Sequence, residues 1–420
     1  MEFVEKDYAP SEDDLICLFR VEPNSENSFE RACDHIAKES SVGTWTHLGT
    51  LNERAKRIKA RAYKLNDPYV EVAYPSELFE LSNIPQVMSS IAGNIFGMKA
   101  IDNLRLVDVK FPKKMIEEYA GPRYGIEGVR KTMEVPERPL VGTIVKPKLG
   151  LDAKSHAKVA EESWIGGCDV VKDDENLTSQ PFNIYEDRLA ATLESRDIAE
   201  EETGEKKVYM CNTTAGSSEM MERAELIKEM GGRYMMIDVL TTGFSAVQEM
   251  RENGPDLIMH AHRAMHGALT RNKKHGITML ALAKLYRLMG VDQLHVGTAV
   301  GKMEGGKEEV RMIAENVEKM KIKSRDETKE LGQEWHHIKP VFAVSSGGLH
   351  PGHVDPLMEF MGNDVIIQSG GGVHGHPDGS KAGARAMRQV VDAKMRGIDP
   401  WDYAEDHIEL KKALDLWGTS

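Results

Sequence analysis

The chain has 420 residues, room for two domains, and a formal charge of −13 from 54 basic and 67 acidic side chains. That charge excludes a nucleic-acid polyanion as the main partner, but it leaves open a small anionic substrate in a local basic pocket. Four cysteines without a C-x-x-C pair, no apolar run near 18 residues and no basic-then-apolar leader set the expectation of a cytoplasmic protein with no membrane span.

Residues 1–125 are expected to form an α+β domain. Strand-like stretches at 15–21, 69–74 and 103–109 mix with helical patterns at 28–39 and 76–92. Gly and Pro mark the stretch 121–137, which places the domain boundary at 125/126. From residue 139 onward, short apolar runs alternate with helical periodicity, for example at 220–230 and 279–289. The runs lie at 140–145, 169–171, 208–211, 234–239, 257–261, 293–296, 341–344 and 365–368. Eight alternating units predict an α/β fold, a closed (β/α)8 TIM barrel over 126–420, with a helical tail at about 381–417 closing the last unit. An open doubly wound sheet is the alternative. Its Gly-x-Gly-x-x-Gly turn is replaced here by Lys146-Pro147-Lys148-Leu149-Gly150.

Unusual residues gather where these strands end. The first ends in Lys146-Pro147-Lys148, and alternation puts both lysines on one face. The second ends in Lys172-Asp173-Asp174-Glu175, where Lys172 and Asp174 are expected to share a face and Glu175 to swing toward them. A buried salt bridge is the plain reading. A hard-metal site is the sharper one, because Mg2+ prefers oxygen ligands. Lysine joins such a site only as an anion, as carbamylation by CO2 would make it. The fifth strand ends in His260-Ala261-His262-Arg263, followed by His266. The sixth carries His295 and leads to Gly301-Lys302-Met303-Glu304-Gly305-Gly306, a Gly-flanked lysine expected on a lid. Ser345-Ser346-Gly347-Gly348 and Ser369-Gly370-Gly371-Gly372 end the last two strands and suit phosphate. Arg263, His295 and Ser346 are a second phosphate candidate, so the expected substrate is an elongated bisphosphate. A barrel metallohydrolase with a zinc pair is the rival. Here, however, the His-x-His pair follows the lysine, the eighth strand ends without an aspartate, and the donors are carboxylate-rich.

These motifs resemble the large chain of ribulose-1,5-bisphosphate carboxylase/oxygenase (RuBisCO) over nearly the whole length. Gly43-Thr44-Trp45-Thr46, Gly93-Asn94-Ile95-Phe96-Gly97 and Gly142-Thr143-Ile144-Val145-Lys146-Pro147-Lys148 carry the resemblance, with the tetrad, the histidine cluster, the Lys302 loop and the two Gly-rich turns. The run from Ser345 to Gly352 and the short chain are most like the archaeal form III branch.

The resemblance implies that Lys172 is carbamylated by a non-substrate CO2 and holds one Mg2+ with Asp174 and Glu175. The carbamate would take the C3 proton of ribulose 1,5-bisphosphate, and CO2 would add at C2, with O2 competing. Lys302 would stabilise the new carboxylate, His262 would assist proton transfer at C3, and Lys146 would protonate the product carbanion. Lys148 would orient the metal-bound end of the substrate. Arg263, His295 and Ser346 would hold one phosphate, and Gly348, Gly370 and Gly371 would hold the other along with Thr44 and Trp45, with Gly347 and Gln368 also binding substrate. Glu39, Thr44, Trp45 and Asn94 would act in the neighbouring subunit, so a homodimer or an assembly of dimers is expected, without a small subunit. The implied products are two 3-phosphoglycerates, in nucleotide (AMP) salvage. A RuBisCO-like enolase or isomerase, or a non-catalytic sugar-phosphate-binding protein, is the alternative.

Overall fold

A computed structural model describes residues 2–44, 46, 48–300 and 306–419. Its contacts divide into two units that are discontinuous in sequence. One comprises Met1–Gly121, Met265–Gly290 and Lys319–Lys339. The other comprises Pro122–Ala264, Val291–Glu318 and Pro340–Ser420.

In the first unit, the apolar run of Asp14–Pro23 makes a strand buried on both faces. It pairs antiparallel with Tyr69–Pro75 and Ile101–Lys110, inside a five-stranded sheet. Arg61–Asn66 adds an edge strand absent from the sequence expectation. Its alternate residues are exposed and charged or polar, so its apolar signal is weak. Helix Phe29–Glu39 starts where the Ser28 hydroxyl accepts from Arg31 N–H, and it buries Ala32, Cys33, Ile36 and Ala37 along one face. The helix expected over 76–92 is broken. A 3-10 turn spans Ser76–Leu78, and the helix proper is Ile84–Ile91. Asn83 Oδ1 accepts from Gln86 N–H at 3.0 Å, and Pro85 fits the first turn, so the start signal lies eight residues into the expected span.

Helix Met279–Met289 is buried on every side and lies between the fifth and sixth barrel strands in sequence, yet it packs on strand Ile101–Lys110 in the first unit, next to the short strand Gly276–Ile277 that pairs with that strand. Its Lys284 is fully buried. The ammonium sits 2.7 and 2.8 Å from the two oxygens of Asp108, and also donates to the carbonyls of Val109 and Leu331. Asp108 also accepts from the Leu331 amide at 2.7 Å.

In the second unit, eight parallel strands close a barrel in chain order. They are Leu140–Ile144, Val170–Lys172, Val208–Asn212, Tyr234–Asp238, Ile258–His262, Gln293–His295, Phe342–Ser346 and Val365–Gln368. All eight match the sequence expectation within two residues at each end. Leu140, Val170, Val208, Met210, Tyr234, Met236, Ile258, Phe342, Val344 and Ile366 form one core cluster, joined by Val129 and Met133 of helix Gly125–Met133. Asp292 is fully buried. It accepts from the amides of Tyr124, Gly125 and Met259 and from Arg251, tying that helix and the fifth strand to the start of the sixth. The tail forms helices Ser380–Met395, Pro400–Ala404 and Ile408–Trp417. No described helix is long and apolar enough to cross a membrane.

Replacing Lys284 with Met leaves the Asp108 carboxylate buried and unpaired. Lys284→Met should therefore cost about 3–5 kcal/mol in urea unfolding, whereas a loss below about 1 kcal/mol would mean that the pair behaves like a surface one.

Candidate active site

The site is built from strand ends of the barrel unit. Lys172 is the last residue of its strand and is 1% exposed. Its amine donates to the Asp173 carbonyl at 2.7 Å and lies 4.0 Å from Glu175 Oε2. Burial lowers its basicity, opposed by the carboxylates of Glu175, Asp174, Asp238 and Asp173. Burial wins, so the neutral amine is more available than on a surface lysine.

Asp174 is held from two sides. Oδ2 accepts from Lys146 Nζ at 2.7 Å, and Oδ1 accepts from the Asn176 amide and side chain at 3.2 and 2.9 Å. Burial raises this carboxyl, but the bonds from Lys146 and Asn176 more than offset that and leave it below its usual range. Lys146 and Lys148 do not share a role here. The strand ends at Ile144, alternation stops with it, and Lys148 is exposed while Lys146 meets Asp174.

Asp173 points away from this cluster. It is fully buried, accepts from Tyr209 at 2.5 Å, from Arg188 at 3.2 Å and from the Asn212 amide at 2.9 Å, and lies 3.1 Å from His156 Nε2. Burial pushes its carboxyl up, but Arg188 and His156 hold it well below the usual range. The aspartate thus anchors the peptide that carries its two neighbours.

His262 ends the fifth strand, with Nδ1 3.1 Å from Asp238 Oδ1 and Nε2 3.7 Å from Glu175 Oε2. Burial, then the charge of Lys172, lowers it to about 3. Asp238 is raised to about 6, chiefly by burial. His260, His295 and Ser346 form a hydrogen-bonded row. His260 Nε2 lies 2.9 Å from His295 Nε2, and His295 Nδ1 lies 2.8 Å from Ser346 Oγ. Arg263 is lowered to about 10 by burial, opposed by Glu309.

Gly347 and Gly348 have φ of 114° and 69°, the left-handed region that glycine adopts freely. Gly372 is closely packed, since a Cβ there would meet the Leu349 carbonyl at 2.4 Å. Gly371 has open space around it, and a Cβ on Gly370 would come 3.2 Å from Lys146 Cε. Gln368 is buried, with its amide 3.8 Å from Met210 Sδ.

Among the described residues, no three His, Cys, Asp or Glu side chains are arranged to hold a metal. The donors present are the two carboxylates of Asp174 and Glu175 beside a lysine amine. This set fits a hard cation only once the amine gains oxygens.

Residues 125–417 match the family described as ribulose bisphosphate carboxylase large chain, catalytic domain, and residues 2–115 match its N-terminal domain. The chain belongs to the RuBisCO large-chain family. It is 51% identical to the ribulose bisphosphate carboxylase of Methanocaldococcus jannaschii, covering 99% of this chain and all of that one. The enzyme of Pyrococcus furiosus is 49% identical, with coverage of 100% and 97%. The dimeric archaeal RuBisCO of Hyperthermus butylicus superposes with a TM-score of 0.94 at 47% identity, covering 100% and 99% of the two chains. The octameric RuBisCO of Pyrococcus horikoshii gives 0.93 at 47% identity, with coverage of 99% and 96%.

Of the residues that the RuBisCO resemblance singles out, Lys146, Lys172, Asp174, Glu175, His262, Arg263, His295, Ser346, Gly347, Gly348, Gln368, Gly370 and Gly371 all lie in the barrel unit. Lys172, Asp174, Glu175, Lys146 and His262 are brought together by the contacts above. Glu39 ends helix Phe29–Glu39, Thr44 follows it, and exposed Asn94 opens a 3-10 turn, all in the first unit. Trp45 and Lys302 lie outside the described residues. His266 also falls in the first unit, where Nδ1 lies 3.1 Å from Thr270 Oγ1. Three residues carried no separate role in the sequence reading: Asp173, Asp238 and Gln293. Asp238 ends the fourth strand, and its position at a barrel strand's C-terminal end was the available signal.

The carboxylates around Lys172 favour its charged form. Asp174→Asn removes one of them, so more of the amine is neutral at any given pH. The pH profile for Lys172 labelling by cyanate, read by peptide mass, should move to lower pH in that variant. A move to higher pH would contradict the assigned electrostatics.

Proposed function

We propose that this chain is a magnesium-dependent ribulose-bisphosphate carboxylase, joining CO2 and water to ribulose 1,5-bisphosphate to give two 3-phosphoglycerates, with O2 as a competing substrate. One observation carries the reading. A buried lysine of lowered basicity lies 4.0 Å from Glu175 and feels the charge of Asp174 at a barrel strand end, and such a site lacks its third oxygen donor until CO2 reacts with the amine.

Lys172, Asp174 and Glu175 would hold the magnesium, which when bound supplies Lewis-acid polarisation of neighbouring substrate oxygens. Lys146, whose Nζ donates to Asp174 Oδ2 at 2.7 Å, would return a proton to a product carbanion. His262, neutral and fixed by Asp238, can accept and pass on a proton at Nε2. Arg263, His295 and Ser346 bind one phosphate, and the Gly347-Gly348 and Gly370-Gly371 turns with Gln368 accommodate the other end, oriented by Lys148. Lys302 and Trp45 enter on sequence grounds. Lys302 supplies positive charge where the new carboxylate develops.

The dimeric and octameric relatives support a homodimer or an assembly of dimers, with Glu39, Thr44, Trp45 and Asn94 serving the neighbouring subunit. The form III resemblance supports a cytoplasmic role in nucleotide salvage.

Carboxylation needs the Lys302 charge, whereas removal of the C3 proton does not. Lys302→Ala should retain C3 proton exchange on ribulose bisphosphate and lose carboxylation by at least about a hundredfold, the scale of one lost transition-state contact. Near-normal carboxylation by this variant would remove that role and favour an enolising relative.

A further inference from the structure

Behind the proposed phosphate residues lies a chain of buried groups. Gln293 is fully buried on the sixth strand, with Oε1 2.9 Å from His260 Nδ1. His260 Nε2 faces His295 Nε2 at 2.9 Å, and His295 Nδ1 faces Ser346 Oγ at 2.8 Å. Each link holds one proton, and a neutral imidazole carries one N–H. The whole row must therefore donate in a single direction. Burial keeps both rings neutral, with His260 lowered to about 3 and His295 well below its ordinary value.

The two directions are not equivalent. If Gln293 accepts through Oε1, protons run toward it and the Ser346 hydroxyl is spent on His295. Gln293 Nε2 then has only the Tyr234 oxygen to act on, and the proton of that buried hydroxyl has no acceptor. Tyr234 is fully buried and close enough for the Gln293 amide to act on its phenol. The two ends of an amide have nearly the same shape, so the network decides which one faces His260. Turning the amide gives the Tyr234 proton an acceptor. Tyr234 donates to Oε1, Nε2 donates to His260 Nδ1, His260 Nε2–H donates to His295, and His295 Nδ1–H donates to Ser346. Stranding buried donors is costly, so this direction is favoured.

We infer that Tyr234 and Gln293 are positioning residues that set the tautomers of His260 and His295, so that the Ser346 hydroxyl accepts from within and keeps its own proton for a substrate phosphate. Ser346 is partly exposed, and the charge of Arg263 acts on its partner His295. A hydroxyl so arranged donates to an anion, whereas the reverse arrangement would offer it a lone pair. The anion-binding part rests on the phosphate assignment proposed above; the tautomers do not.

Two measurements test this. Imidazole 15N NMR of the wild-type protein at pH 7 should find the proton of His260 on Nε2 and that of His295 on Nδ1. The opposite pair, or either ring doubly protonated, overturns the inference. Gln293→Met, neutral and similar in size, should raise KM for ribulose bisphosphate about tenfold, the scale of one hydrogen bond to a charged group, with kcat within about twofold. In a Ser346→Ala background the same substitution should add almost nothing. Equal losses in both backgrounds would overturn the route through Ser346. If Ser346→Ala alone leaves KM unchanged, the phosphate role falls, while the NMR result still decides the direction of the chain.

Discussion

The amine of Lys172 is the constraint around which the barrel mouth is arranged. Four carboxylates act on it, yet burial still lowers its basicity. A permanently charged lysine there would repel a cation and neutralise its ligands. A lysine that loses its proton readily can instead react with CO2 and change sign. Asp174 and Glu175, now ion-paired with Lys146 and Lys172, would then join it in a three-oxygen set, which is the chemistry of a hard-cation site.

That geometry depends on what lies beneath it. Val170–Lys172 is a three-residue strand, too short to hold Asp174 and Glu175 by its own ladder. Asp173 supplies the rigidity by facing inward to Arg188, Tyr209, His156 and the Asn212 amide, which come from two helices and the third strand. A buried ion pair is weak evidence of net stability, but losing one partner leaves a costly charge. Within the tetrad, Asp173 serves as the anchor for the three residues proposed for chemistry.

Much of this was legible in the sequence, for physical reasons. The barrel strands are short apolar runs bounded by polar turns, and reactive residues placed just after them stand out against that background. The sheet assignment of helix Met279–Met289 was not legible, because a helix buried on all sides has no apolar face to say which sheet it covers. The edge strand Arg61–Asn66 was hidden by its polar alternation, and the span 76–92 by an internal cap at Asn83. Asp238 and Gln293 sit at the ends of short apolar strands, and their pairing with His262 and His260 comes from neighbouring strands, which sequence spacing does not show. Lys148 was paired with Lys146 on an alternation that the backbone abandons at Ile144.

The central claim is that CO2 turns Lys172 into a metal ligand. Mg2+ binding by the full-length protein, measured calorimetrically with and without dissolved CO2, tests it most directly. Tight binding should require CO2, should bring a 13C carbamate signal when 13CO2 is used, and should be lost with that signal in Lys172→Met. Equally tight Mg2+ binding without CO2, or a carbamate signal that survives in Lys172→Met, would contradict the account.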